Sequence, residues 1–353
     1  MAEQGLDALV IAAPEDLNHA NLRYLSGFTG TSGYLVVGAD DATFLTDSRY
    51  VEQAANEVQG CRVLQHGSPY VDALADACRQ AGPRIGFEAA RVPVQMLEQW
   101  RSRLLEHEFV AADGMVEQMR AVKDASEVAK MRMVAKLAGA ALADAFSSFM
   151  RGMSERKFAQ LLSNAMLERG LDGNGFPSIV ASGTRGSLPH ARATDKSMVH
   201  GELVTIDYGG MLSGYRSDET VTVGIGPVEP KLREIYELVR ESQAAGIAAA
   251  RAGVHTSEVD RAAREVIQTS AYREWCFAYG IGHGVGLDIH EQPFSAYPGS
   301  GRVDTELLPG MVITVEPGIY IPGVGGVRIE DTLLITEDGN ERMTVTPKEY
   351  RFL

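Results

Sequence analysis

No apolar run in this chain approaches the ~20 residues that a membrane-spanning helix needs, so an embedded helical protein is excluded. Cysteine is scarce. The three in 353 residues, Cys61, Cys78 and Cys276, are odd in number and widely spaced. They suit neither a disulfide framework nor a zinc-type pairing, and a reducing, cytoplasmic compartment is the simplest expectation. No basic side chain precedes Arg23, whereas a secretory leader begins with one. Positive charge is the minority throughout, with 33 Lys and Arg against 47 Asp and Glu and a formal net charge of −14. Such a surface repels phosphate backbones, so nucleic acid is not an expected partner. Internal repeats and low-complexity tracts are also missing.

What is present is an ordinary globular composition, 45% hydrophobic and 23% charged, in a length that favours two domains. Residues 1–115 alternate short apolar runs (DALVIAA, GYLVVG, ATFLTD, CRVLQH, RIGFEA) with helical spacing in VEQAANEV, YVDALADACRQAG and VPVQMLEQWRSRL. This predicts an α/β domain. Residues 116–125 read as a linker. From 126 to 353 the pattern predicts an α+β domain, helices covering a mainly antiparallel sheet. Its first helix opens with a capping box at Asp124 and Glu127 and carries Val128, Met131, Val134, Ala138, Leu142, Ala145 and Phe149 on one stripe. A second starts at Ser154 and stops at Gly170. Two more are expected near 230–252 and 257–274, with strands around 200–225 and 310–337.

Two strand pairs carry the chemistry. In LVTIDYGGMLSGYRSDETVTV, folding between Leu212 and Ser213 sets Asp207 opposite Asp218, and opposed side chains have Cβ atoms ~5 Å apart. In VITVEPGIYIPGVGGVRIEDTLLI, folding about Gly323 sets Glu316 opposite Glu330. Acids facing solvent, or paired with Arg216 and Arg328, would explain one such hairpin. Two hairpins of opposed acids in apolar strands are better explained by a cation that removes the cost of burying like charges. GHGVGLDIHEQP adds His283 and His290 among glycines that permit close backbone approach. Four carboxylates and an imidazole suit Mn²⁺, Co²⁺ or Zn²⁺, and two ions can share carboxylates. His190 lies in a third, glycine-containing loop segment, FPSIVASGTRGSLPHARATD.

These residues resemble the pita-bread metallopeptidases, specifically the aminopeptidase P and prolidase branch (M24B). DYGG…GYRSDET, GHGVGLDIHE, TVEPGIY and GGVRIEDT are similar to its catalytic domain, and NLRYLSGFTGTSGYLVV…FLTDSRY resembles its creatinase-type N-terminal domain. The resemblance implies two divalent ions, manganese first among them, on Asp207, Asp218, His283, Glu316 and Glu330. Asp218 and Glu330 would be shared, and His190 and His290 would contact substrate. It also implies a homodimer and cleavage after the first residue when proline follows. Two departures stand out: Val221 replaces an arginine of the pattern SDxTRT, and Phe294 replaces an arginine that in some prolidases holds the dipeptide carboxylate. Arg49, Arg302, Arg328 or a partner subunit's residue could hold that carboxylate instead. Glu316 is the expected proton carrier, with Phe294 or Tyr279 walling the proline ring. A Xaa-Pro dipeptidase is the expected activity, with aminopeptidase P action on longer peptides as the alternative. A methionine aminopeptidase or a metal-free peptide-binding module fits less well.

Overall fold

The computed structural model describes residues 1–15, 17 and 20–353. The chain divides into two compact units, Met1–Arg120 and Ala121–Leu353. In the first, strands β1 (Ala8–Ala13), β2 (Gly33–Val37), β3 (Ala42–Thr46), β4 (Arg62–Gln65), β5 (Arg84–Phe87) and β6 (Glu108–Ala111) form one sheet in the order β4-β3-β2-β1-β5-β6. Helices α1 (Ala20–Ser26), α2 (Val51–Glu57), α3 (Tyr70–Ala81), α4 (Val94–Arg103) and α5 (Met115–Ala121) accompany it. β1 lies inside the sheet and every one of its residues is buried, as an unbroken apolar run demands when both faces are covered. The edge strands β4 and β6 are mostly exposed or half-buried, and their charged residues keep the open edges from pairing elsewhere. The expected α/β unit is therefore present.

At the expected linker, 116–125, helix α5 runs on to Ala121 and only residues 122–124 precede the next helix. Buried Val116 anchors α5 to the core around Leu22 and Phe44, so the first part of the expected linker is a packed helix.

The second unit begins with α6 (Ala125–Ser147). The Asp124 side chain accepts from the Ser126 and Glu127 amides, and the Glu127 carboxylate accepts from the Asp124 amide, completing the capping box. α7 (Glu155–Glu168) is capped by Ser154. There follow β7 (Gly173–Asn174), β8 (Ile179–Ser182), β9 (Leu203–Tyr208), β10 (Gly210–Leu212), β11 (Tyr215–Arg216) and β12 (Glu219–Gly224), then α8 (Pro230–Ala249) and α9 (Thr256–Gln268). The chain continues with β13 (His283–Gly284), β14 (Glu291–Phe294), β15 (Val312–Val315), β16 (Gly318–Ile321), β17 (Gly325–Arg328), β18 (Asp331–Thr336) and β19 (Gly339–Arg342). The ladders β12-β9-β8, β14-β13-β15-β18-β19 and β16-β17 are antiparallel throughout. The stripe of α6 packs with α7 onto β8, β9 and β12, while α8 and α9 cover β15–β18. No helix among the described residues is long and apolar enough to cross a membrane.

The hairpin registers fix which acids share a face. β15/β18 and β16/β17 pair Val315 with Asp331 and Gly318 with Arg328; continuing either ladder sets Glu316 opposite Glu330, as expected. The other hairpin differs. Thr220, not Asp218, pairs with Asp207. The turn falls on Ser213 and Gly214, both with positive φ, one residue later than expected, and that moves the register by two. Because side chains alternate with period two, Asp207 and Asp218 stay on one face as diagonal neighbours.

Candidate metal centre and substrate cleft

Asp207 sits in β9 and Asp218 just before β12. Glu316 and Glu330 occupy the steps between β15 and β16 and between β17 and β18. A bridge between Thr220 and Glu330 joins the two hairpins, and its threonine hydroxyl donates to Glu330 Oε2 at 2.6 Å. His283 comes from β13, which is pressed between its neighbours. A Cβ on Gly282 would lie 2.0 Å from the Thr314 carbonyl oxygen, and one on Gly284 2.2 Å from that of Gln292. Glycine on either side is what lets the imidazole reach the acids.

The four acids, His283, His190 and His290 all line one cleft of about 770 Å³, a size usual for small-molecule sites. His283 Nε2 is 3.2 Å from Glu316 Oε1 and 3.7 Å from Asp218 Oδ2. Against its burial, Glu316 raises His283 by drawing a proton to Nε2. The ring's Nδ1 lies 3.1 Å from the Gly284 carbonyl oxygen, and with a proton donated there, loss of the Nε2 proton leaves the lone pair a metal requires. One donor atom each from Asp218, His283 and Glu330 falls within a 4.8 Å group.

The electrostatics point the same way. Burial first, and then neighbouring acids, push the Asp218 and Glu330 carboxyls well above the usual carboxylate range. Burial likewise raises Asp207 against the lowering charge of Arg328. Glu316 is held low because the hydrogen bond and charge of His283, with Arg328, outweigh its burial. Asp207 Oδ1 is buried and has no hydrogen-bond partner, a costly state for a carboxylate oxygen. Oxygen donors that resist ionisation together, one orphaned oxygen and a poised imidazole fit divalent cations.

The arginine alternative is realised in part. Arg328 Nη2 donates to Asp207 Oδ2 at 2.5 Å, Nη1 to the Pro189 carbonyl at 3.0 Å and to Tyr320 Oη at 2.9 Å, and Nε to Thr220 Oγ1 at 3.3 Å. Its donors are therefore largely spent on protein acceptors, which counts against the expected role in holding substrate. Arg216 pairs instead with Asp288 at 3.8 Å. Arg49 belongs to the N-terminal unit, where Asp47 and Glu15 hold it at 2.9 and 3.0 Å. Phe294 lines the cleft opposite His283 in the β13/β14 ladder. Arg302 stacks over its ring with Cζ 4.9 Å from the centroid. Tyr279 lines the cleft too, with its hydroxyl 2.5 Å from that of Tyr320. The His283 and His290 rings meet edge to face at 4.4 Å, and burial, followed by the charge of His283, lowers His290 to about 4. Val221, where the family pattern has arginine, is buried in the core of α6 and α7.

The Arg328–Tyr320–Tyr279 chain was not expected. Its signal was the period of two, which puts Arg328 on the face of Glu330, with Tyr320 opposite Gly326 on that same face. The exposed, cleft-lining Arg192 had no such signal, because it lies in a loop.

Carboxylates and an imidazole gathered from antiparallel strands beneath a cleft define a metal-dependent hydrolase. The chain belongs to metallopeptidase family M24, which residues 129–337 match, and residues 1–122 match the Creatinase/Prolidase N-terminal domain. An uncharacterized peptidase of Bacillus subtilis is 39% identical over 350 residues, 99% of this chain and 96% of the relative. The solved structure of the Xaa-Pro dipeptidase from Bacillus anthracis superposes with a TM-score of 0.94 at 38% identity, covering 100% of this chain and 96% of that one. That of the X-Pro aminopeptidase from Thermotoga maritima does so at 0.91 and 34%, covering 99% and 98%. The expected creatinase-like and pita-bread architecture is thereby borne out.

Proposed function

We propose that this metallopeptidase removes the first residue of short peptides whose second residue is proline, with Xaa-Pro dipeptides preferred. The observation that carries this reading is that Asp207, Asp218, His283, Glu316 and Glu330 line one cleft that also holds two exposed arginines. Neither Arg192 nor Arg302 has a carboxylate partner among the described residues. The five residues would hold two divalent ions, Mn²⁺ ahead of Co²⁺ or Zn²⁺ for this oxygen-rich set. When bound, the ions supply an activated water and polarise the scissile carbonyl. Glu316 accepts the water's proton and delivers it to the proline nitrogen. His290 and His190 donate to the developing oxyanion. Arg328 opposes the effect of burial on Asp207 and aims its carboxylate. Arg302, where it rests on Phe294, meets the substrate carboxylate, and Phe294 and Tyr279 flank the proline ring. The three cysteines are free, which supports the cytoplasm as its compartment, and the resemblance supports a homodimer.

Kinetics on a Xaa-Pro dipeptide, its C-terminal amide and a Xaa-Pro-Xaa tripeptide test this reading. A dipeptidase loses at least ~10-fold in kcat/KM when the carboxylate is amidated, the scale of an unpaired charged contact. Equal or better turnover of the tripeptide would select the second reading, aminopeptidase P action, which the likeness to the Thermotoga maritima enzyme favours.

A further inference from the structure

Each acid of the inner pair at the metal centre is followed by a second acid, Asp218 by Glu219 and Glu330 by Asp331. Alternation sends these second acids to the opposite side of the strands. The bridge between Thr220 and Glu330 sets Glu219 directly across from Asp331, and both are buried, at 2% and 0% exposure. Like charges so opposed push their strands apart. Here the ammonium of Lys348 lies between them, in contact with Glu219 Oε1 and 3.4 Å from Asp331 Oδ1.

The rest of the back cluster is fully bonded. Glu219 also accepts from the Thr346 amide at 3.0 Å and the Tyr208 hydroxyl at 2.7 Å. Asp331 accepts from the Thr344 hydroxyl at 2.6 Å and Gln243 at 2.9 Å, and forms an ion pair with Arg342 at 3.1 Å. Segment 343–353, which carries Lys348, is tied down by the Tyr236 hydroxyl on the Lys348 carbonyl at 3.0 Å and by backbone bonds to Gly224.

We propose that Lys348 is a positioning residue of the metal centre: it clamps Glu219 to Asp331 from behind and so sets the spacing of Asp218 and Glu330 in front. This rests on the reading of Asp218 and Glu330 as shared metal ligands. The linkage is short, because one peptide bond separates each clamped acid from its ligand neighbour. The tolerance is small, because metal–oxygen bonds of about 2.0–2.2 Å are lost when strands spread by roughly half an ångström. Lys348 is not among the residues that line the cleft, so it holds the ligands through the strands and not by contact with the ions.

The test uses the full-length protein, stripped of metal and titrated with Mn²⁺, followed by calorimetry, metal analysis and the exchange-coupled electron paramagnetic resonance spectrum of the Mn²⁺ pair. Wild type takes two ions and shows the coupled signal. Lys348→Met and Glu219→Gln keep the first ion, bind the second at least ~10-fold more weakly, the range for residues that orient ligands, and change the coupled signal. Lys348→Arg restores part of both. Glu219→Gln leaves Lys348 with Asp331 as its acid partner, so it decides the matter should Lys348→Met fail to fold. Two ions held with wild-type affinity and spectrum in Glu219→Gln, even at a lower melting temperature, would overturn the clamp and leave the metal reading standing. A wild type that binds no Mn²⁺ overturns the metal reading, and the clamp with it.

Discussion

Two regions of this protein face the same electrostatic problem from opposite sides of the same strands. In front, Asp207, Asp218, Glu316 and Glu330 crowd around His283, and the buried cation among them, Arg328, serves Asp207. Behind, Glu219 and Asp331 have Lys348, Arg342, two hydroxyls, an amide side chain and a backbone amide. The back acids are satisfied by the chain itself. The front acids are not: burial raises Asp331 too, but Lys348, the Thr344 hydroxyl and Arg342 counter it, whereas Asp218 and Glu330 are pushed well above the usual carboxylate range and Asp207 keeps an unbonded oxygen. A buried carboxylate matched by fixed protein donors is costly to unpair, whereas one left short of donors suits an added cation.

The contrast is broken most severely by removing a front acid. Glu330→Gln and Glu316→Ala should lower turnover by at least ~10³-fold, since ligand and proton carrier each contribute that much or more. In the metal-free state, however, Glu330→Gln should melt higher than wild type, by a few degrees for about 1 kcal/mol of relieved repulsion, while Glu219→Gln melts lower. Scanning calorimetry in chelator reads both signs, and a Glu330→Gln protein less stable than wild type would contradict the account.

His290→Ala should cost about 10²-fold in kcat, the scale of one lost oxyanion donor, with the Mn²⁺ content by metal analysis unchanged. Arg302→Ala should raise KM for a Xaa-Pro dipeptide roughly 10-fold and leave a tripeptide nearly unaffected. Equal effects on both substrates would move the carboxylate contact elsewhere.

A buried acid away from both clusters sharpens the comparison without touching turnover. Glu88, in the N-terminal unit, is met by Asn21 and, at 3.8 Å, by Arg91. Burial still pushes its carboxyl up to about 7. A carboxyl whose folded pKa lies above its unfolded value binds more protons when folded, so its protonation supports stability below about pH 4.5 and that support is lost as pH rises to about 7. Glu88→Gln should therefore match wild type near pH 4 and exceed it at pH 8 by on the order of 2–3 kcal/mol. Denaturant melts at the two pH values measure this, and no gain at pH 8 would mean Asn21 and Arg91 already suffice.

Much of this was legible in the sequence because it follows from periodicity. The runs that became β1 to β5, the capped α6 and the acids of both hairpins were all visible as patterns of two or 3.6. Turn position was less visible. Leu212–Gly214 offered more than one place to fold, and Ser213 adopts positive φ beside Gly214, so the register came out two residues away from the expected one. The short edge strand β6 and helix α5 were missed because four to seven residues hold too few repeats of either period. The back face escaped notice because Lys348 meets Glu219 across 129 residues of chain, and no local pattern announces such a partner.

The central claim is that the front acids are spaced for two divalent cations and the back acids for one ammonium. Anomalous diffraction at the manganese edge, from crystals soaked in Mn²⁺, tests it most directly. The account predicts two peaks ~3.5–4 Å apart among Asp207, Asp218, His283, Glu316 and Glu330, and none near Lys348. Absence of peaks at the front, or a manganese ion between Glu219 and Asp331, would contradict it.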